Sequence, residues 1–165
     1  MLSLDKLTGC IEIMNSCLHA RTESDLEDIW LAMQGLCNVD SLILSVAESV
    51  PIQSGGGVGN SYAYGVSEGW MSLYMDNEYA HIDPVVRYCH VAEGVFPWSR
   101  AFEHFGVEVK EFVDQAHKFG LIDGFAVGVP SHLLTGMASV VSVSVNHKCF
   151  SLTDRIMVDN LLPHV

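Results

Sequence analysis

Positive charge is scarce in this chain: eight Lys plus Arg stand against 20 Asp plus Glu, a formal charge of −12 over 165 residues. Nucleic-acid binding draws much of its affinity from cations set against phosphates. Here Lys6, Arg21, Arg87, Arg100, Lys110, Lys118, Lys148 and Arg155 are scattered singly, which argues against DNA binding by this segment itself and against an anionic membrane surface. Long apolar runs are missing as well. No stretch approaches the ~20 residues of a spanning helix, and the run from Val140 to Val145 is broken by Ser142 and Ser144. The opening MLSLDKL places Asp5, and soon Glu12, where a secretory signal would need a basic and then an apolar stretch. The five cysteines, Cys10, Cys17, Cys37, Cys89 and Cys149, contain no CxxC. An odd, unpatterned set argues against a disulfide framework or a zinc site and for reduced thiols in a cytoplasmic protein.

What is present reads as one domain. Leu4, Leu7, Ile11, Met14 and Leu18 form one apolar stripe at helical spacing, and Leu26, Ile29, Trp30, Met33 and Cys37 form a second. Thr22 with Asp25 has the spacing of a capping box ahead of the second stripe. Ser41–Val46, the SYAYGV segment, Gly124–Val129 and Met137–Val145 read as strands. In the last of these, alternating Val and Ser predicts one face towards a core or cavity. Helices are expected over Glu68–Glu78, from Pro84 behind Asp83, over Val107–Phe119 with Gly120 as the stop, and over Ser151–Leu162 with Thr153 as cap. Helices first, then mixed strands and helices, predict an α+β fold: an α/β/α sandwich with an antiparallel sheet of about five strands, helices on both faces and a ligand cavity between sheet and helices.

Signatures of catalysis are absent. The eight histidines form no HExxH, Ser99 and Ser131 lack a GxSxG elbow, and the glycine-rich stretch Pro51–Asn60 is followed by neither Lys-Ser/Thr nor a completed GxGxxG. That stretch reads as a loop between strands, and the protein as a non-enzyme without metal or cofactor.

The segment from Trp70 to Trp98 is more specific. Trp70 and Tyr74 are four apart and share a helical face, and Asp83-Pro84 and Trp98 complete a W-x3-Y-x8-D-P-x13-W pattern. Taken alone, these residues also suit a packed aromatic pair and a capping aspartate. The pattern, with the downstream Gly120, Gly124, Pro130, His132, Gly136 and Ser142, resembles the autoinducer-binding domain of LuxR-type quorum-sensing regulators, and the resemblance covers essentially residues 1–165.

The resemblance implies a receptor for N-acyl-homoserine lactones, controlling transcription as a homodimer. Trp70, donor only, suits the lactone carbonyl, and Asp83, acceptor only, suits the amide N–H. Ser142 or a tyrosine would serve the amide carbonyl, Tyr74 would wall the chain, and Trp98 would pack on the lactone. Pro84, Val85, Phe102, Ala126 and Val140 are expected on the ligand too. Val66 stands where several members carry a tyrosine for the amide carbonyl, so Tyr62 or Tyr64 on the preceding strand is the expected substitute. The family's helix-turn-helix domain, its route to DNA, does not follow Leu162-Pro163-His164-Val165. The chain is therefore expected to be the ligand-binding half of such a regulator. One alternative is a natural regulator without a DNA-binding half that pairs with and blocks a full-length one, through an exposed apolar stripe of Ile156, Val158 and Leu161-Leu162. Another is a same-fold receptor for a different small molecule.

Overall fold

A computed structural model describes residues 2–48, 61–130, 137–145 and 148–165. The Gly55 loop and the Pro130-x-His132 motif beyond Pro130 lie outside these residues. The chain opens with helices α1 (Leu4–His19) and α2 (Glu23–Cys37). Ser3 caps α1 by accepting the Lys6 N–H. Thr22 and Asp25 cap α2 reciprocally: the Thr22 hydroxyl accepts the Asp25 N–H, and Asp25 accepts the Thr22 N–H at 2.7 Å. Two donors freed at the helix start are thereby satisfied.

Strands β1 (Val39–Glu48), β2 (Ser61–Tyr64), β3 (Phe96–Pro97), β4 (Gly124–Pro130) and β5 (Met137–Val145) form one antiparallel sheet in the order β2-β1-β5-β4-β3. β4 and β5 are the expected late pair, whereas the short β3 had no sequence signal. Strand parity divides the sheet into two faces. Leu42, Phe125, Val127, Val141 and Val143 pack with α1, α2 and α7 (Leu152–Leu161) in one core, while Phe96 and Ala126 join the other core, against α3 (Glu68–Asp76), α5 (Trp98–Phe105) and α6 (Lys110–Lys118). Helix α4 (Pro84–Tyr88) adds Val85 to that second core. The sandwich has a helical layer on each side of the sheet.

Four local expectations differ from the structure. The stripe Leu4, Leu7, Ile11 and Leu18 faces outward, and α1 buries Cys10 and Ile13 instead. The helix is apolar on adjacent faces, and packing selects the one where Gly9 lets Leu36 of α2 approach closely. Val107–Phe119 is not one helix: a 3-10 turn over Gly106–Val109 precedes α6, with Gly106 at φ +56. The cap of α7 is Ser151, not Thr153, because Ser151 and Asp154 form a complete capping box. The stripe assigned to α7 is also corrected, since Val158, Leu161 and Leu162 are fully buried and Ile156 alone of that set is exposed.

Asp154 ties three elements together. Almost fully buried, it accepts the Ser151 N–H at 2.8 Å, the Ser151 hydroxyl at 2.7 Å, Asn38 Nδ2 at 3.2 Å and Lys6 Nζ at 3.4 Å. Burial pushes its carboxyl up, but the Ser151 and Asn38 hydrogen bonds and the Lys6 ammonium outweigh it, leaving the group below its ordinary value. A lowered folded-state value means stability present above the ordinary carboxylate range and lost as pH falls through the lowered value. Asp154→Asn should therefore cost about 1–2 kcal/mol at neutral pH and flatten this acid dependence. Urea unfolding of both proteins between neutral and acidic pH checks this; parallel curves would count against it.

Candidate functional site

A cavity of about 520 Å³ borders the second core, within the size range of small-molecule pockets. The turn into α3 sets its first wall. Ser67 caps the helix by accepting the Trp70 N–H, which fixes Trp70 one turn before Tyr74. Trp70 is buried among aromatic rings, with centroids 5.8 Å from Tyr74, 5.9 Å from Tyr79 and 5.7 Å from Phe112. Such edge-to-face and tilted contacts hold the indole more firmly than area burial alone. The aromatic pair is thus both core and cavity wall.

Asp83 caps α4, with Pro84 at the first helical position. Its Oδ1 accepts the Val85 N–H at 2.8 Å and the Val86 N–H at 3.3 Å, and its Oδ2 accepts the Tyr74 hydroxyl at 3.0 Å. Burial pushes the carboxyl above its usual value, partly countered by the Val85 N–H, the Tyr74 hydroxyl and the Val86 N–H. Burial, and then the adjacent carboxylate, push the Tyr74 phenol well above its usual range, so it serves as a donor. A carboxylate offers about four acceptor sites, and three are filled from the protein.

On the sheet side, Trp98 opens α5 and donates its indole N–H to Ser142 Oγ at 3.0 Å, both residues being buried. Ser142 accepts with its oxygen and keeps its own proton to donate. Val85, Phe102 and Val140 complete the expected lining.

Trp70, Tyr74, Asp83, Val85, Trp98, Phe102, Val140 and Ser142 thus meet at one cavity. Pro84 and Ala126 are buried but do not line the cavity, and Val66 packs against the second core without lining it. Tyr62 and Tyr64 are corrected. Ser61 borders the cavity and strand parity turns its neighbour Tyr62 away, towards Thr22 and Leu26. Tyr64 stacks on Trp30 and donates to the Glu23 carbonyl oxygen at 3.1 Å. Neither tyrosine can serve an amide carbonyl in this cavity.

Several lining residues were missed. Ile43 and Ser45 line the cavity from β1; alternation through Ser41, Ile43 and Ser45 matches that of β5 and could have revealed them. Met71 and Met75, four apart on α3, and Phe112 and Ala116, four apart on α6, also line it. Their spacing signals a shared face but not whether it meets protein or ligand.

Among the described residues no group of three or more His, Cys, Asp or Glu side chains converges as metal ligands would. Burial pushes the Cys37 and Cys89 thiols up to about 12, helped at Cys37 by nearby Cys10 and Asp154 and at Cys89 by Asp83, so neither is a nucleophile at neutral pH. No described helix is long and apolar enough to cross a membrane.

Comparison with known proteins gives the family and the fold. The autoinducer binding domain family matches residues 22–160. The transcriptional activator protein BjaR1 of Bradyrhizobium diazoefficiens is 38% identical over 81 residues, which cover 48% of this chain and 33% of that protein. SdiA of Escherichia coli, solved in complex with octanoyl-rac-glycerol, superposes with a TM-score of 0.71 at 19% identity over 99% of this chain and 66% of its own. CepR2 of Burkholderia cenocepacia, described as an N-acylhomoserine lactone dependent LuxR family transcription factor, does so with a TM-score of 0.72 at 14% identity, over 98% of this chain and 93% of its own. The match to BjaR1 thus spans about a third of that relative. The two structures share the fold.

Proposed function

Because this chain belongs to the autoinducer-binding domain family of LuxR-type regulators, a family of ligand-binding transcription regulators and not of enzymes, we propose that its cavity encloses an N-acyl-homoserine lactone. Residues 1–165 would then act as the ligand-sensing half of a regulator. The observation that carries this reading is Asp83: a carboxylate bordering the cavity, with three acceptor sites filled by Tyr74, Val85 and Val86. The remaining site takes the amide N–H, and the charge strengthens that bond. Trp70 donates to the lactone carbonyl. The Ser142 hydroxyl, oriented by Trp98, donates to the amide carbonyl in place of a tyrosine. Trp98 covers the lactone with its ring while its N–H stays on Ser142.

In this reading the ligand completes the second core and favours pairing with another copy. Leu4, Leu7, Ile11 and Leu18 of α1, all exposed, offer an apolar surface for that pairing. Control of DNA would run through a helix-turn-helix domain outside this sequence, in the cytoplasm.

A second reading has its own support, since SdiA was solved with octanoyl-rac-glycerol. A glycerol hydroxyl could donate to Asp83 as an amide N–H does. Thermal unfolding with octanoyl-homoserine lactone and with octanoylglycerol separates the two. At a hundred times the dissociation constant the bound ligand adds about 2.7 kcal/mol. A shift with the lactone alone, or clearly larger with it, is the expected result. A shift with the glycerol ester alone transfers the assignment to that ligand class, and no shift with either overturns both readings.

A further inference from the structure

Resting on the lactone reading of the cavity, we infer that Phe119 is a positioning residue: its ring, seated on Gly69, braces the Trp70 indole from outside the cavity and sets how strongly the site prefers a head group with a ring carbonyl. Phe119 does not border the cavity itself and acts through Trp70.

The two tryptophans of the site are held differently. Trp98 is fixed by its hydrogen bond to Ser142. Trp70 is 3% exposed and borders the cavity, yet its indole N–H has no hydrogen-bond partner among the described residues. Its direction is therefore left to the rings packed around it. Besides Tyr74, Tyr79 and Phe112 there is a fourth, Phe119, with centroids 5.7 Å apart and planes tilted by 52°. Tyr74 and Phe112 border the cavity, so a ligand shares their faces. Phe119 lies on the solvent side, 38% exposed, and is the most exposed of the four.

Local sequence brings the ring there. Helix α6 stops at Lys118, and Gly120 takes φ +82, a left-handed value that glycine adopts without strain. The Gly120 N–H then reaches the His117 carbonyl oxygen, and the Leu121 N–H the Ala116 carbonyl oxygen, each at 3.1 Å. This turn leaves Leu121 on the cavity and Phe119 against α3. Gly69 admits the contact: an added Cβ would stand 3.1 Å from Phe119 Cε1, so the ring lies directly on helix backbone beside Trp70. A hydrogen bond prefers an N–H···O angle above ~150° and weakens steeply below ~120°. An indole free to tilt loses such a bond while keeping its apolar contact with the lactone ring. Removing Phe119 thus acts on carbonyl recognition and not on ring binding in general.

The test is calorimetric titration of the whole chain with octanoyl-homoserine lactone and with N-cyclopentyloctanamide, which keeps the amide, the chain and a five-membered ring but has no ring carbonyl. The unaltered chain should prefer the lactone by about tenfold. Phe119→Ala should cut that preference to about threefold or less, with the affinity for the cyclopentyl amide held within about twofold. Phe119→Tyr keeps the ring and should restore the preference. A residue that only packs would lower stability and weaken both ligands alike. Should the alanine variant bind neither ligand, Gly69→Ala, which keeps every ring but displaces Phe119, should narrow the preference instead. An unchanged preference in the variant that binds, one that tyrosine does not restore, or loss of both ligands from both alanine variants overturns the bracing role of Phe119 alone. Equal affinity of the unaltered chain for the two ligands overturns it together with the Trp70 carbonyl contact. Failure of the unaltered chain to bind the lactone overturns the lactone reading of the cavity and the bracing role with it.

Discussion

Replacing Gly124 by alanine is expected to cost about 3 kcal/mol of folding stability and to abolish ligand binding in the same step. A Cβ at this position would stand 2.1 Å from the Val143 carbonyl oxygen and 2.5 and 2.6 Å from two atoms of the Trp98 indole. The first contact is with the backbone of the neighbouring strand, where Gly124 pairs with Ser144 and Phe125 with Val143, so relief requires opening the β4–β5 ladder. The second is with a buried ring whose N–H holds Ser142. Moving that ring takes the donor away from the Ser142 oxygen and leaves the hydroxyl without the contact that orients it. Gly35 provides the control. It lies exposed in α2 with nothing within 4 Å of an added Cβ, and Gly35→Ala should stabilise by about 0.5–1 kcal/mol through helix propensity. Urea unfolding with lactone titration measures both. A Gly124→Ala protein that unfolds and binds like the parent would show that the close packing of Trp98 on β4 does not hold in solution.

Asp83→Asn is expected to weaken lactone binding by about a hundredfold or more while the domain still folds. The amide oxygen can keep the α4 cap on Val85 and Val86, and the Tyr74 hydroxyl can turn to accept from the new NH₂ group. The site, however, loses its charge and points a donor at the ligand's N–H. Two effects combine: the charged hydrogen bond, about 1.5–3 kcal/mol, and an unpaired buried amide, about 1–3 kcal/mol. The pH dependence is a second readout. Burial first, partly offset by its three donors, raises the Asp83 carboxyl in the ligand-free protein. Its contribution to folding is therefore greatest below the ordinary carboxylate value and falls as pH rises through the raised one. A ligand N–H favours the carboxylate, so lactone affinity should climb as pH rises through that window, with proton release on binding. In Asp83→Asn the slope should vanish. Calorimetry in buffers of different ionisation enthalpy reads the proton directly. Unchanged affinity in the variant, or a flat profile in the parent, would take Asp83 out of ligand contact.

Legibility in the sequence differed by residue. The α2 stripe and its Thr22–Asp25 cap could be read because both are local: they depend on spacings of three and four and on hydrogen bonds within one turn. The β5 alternation was legible for the same reason. On α1 the same periodicity pointed to Leu4, Leu7, Ile11 and Leu18, yet packing buried Cys10 and Ile13. A helix apolar on two adjacent faces does not say which of them its neighbour will take. The site shows a similar division. Trp70, Tyr74, Asp83, Trp98 and Ser142 could be named from their pattern, whereas Tyr62 and Tyr64 were misplaced because the face of β2 depends on its register with β1.

By itself, then, the sequence determined the acidic character of the chain, most helix and strand positions, the family resemblance and the chemical types gathered at the cavity. All of these reside in composition or short-range order. The tertiary structure alone decided which apolar face became core, that the Trp98 N–H serves Ser142, and that Ser45 borders the cavity while Ser41 pairs with Ser144. These outcomes depend on contacts between segments far apart in the chain, and a hydrogen bond or a close approach at that range is set by sheet register and layer packing, which no local pattern encodes.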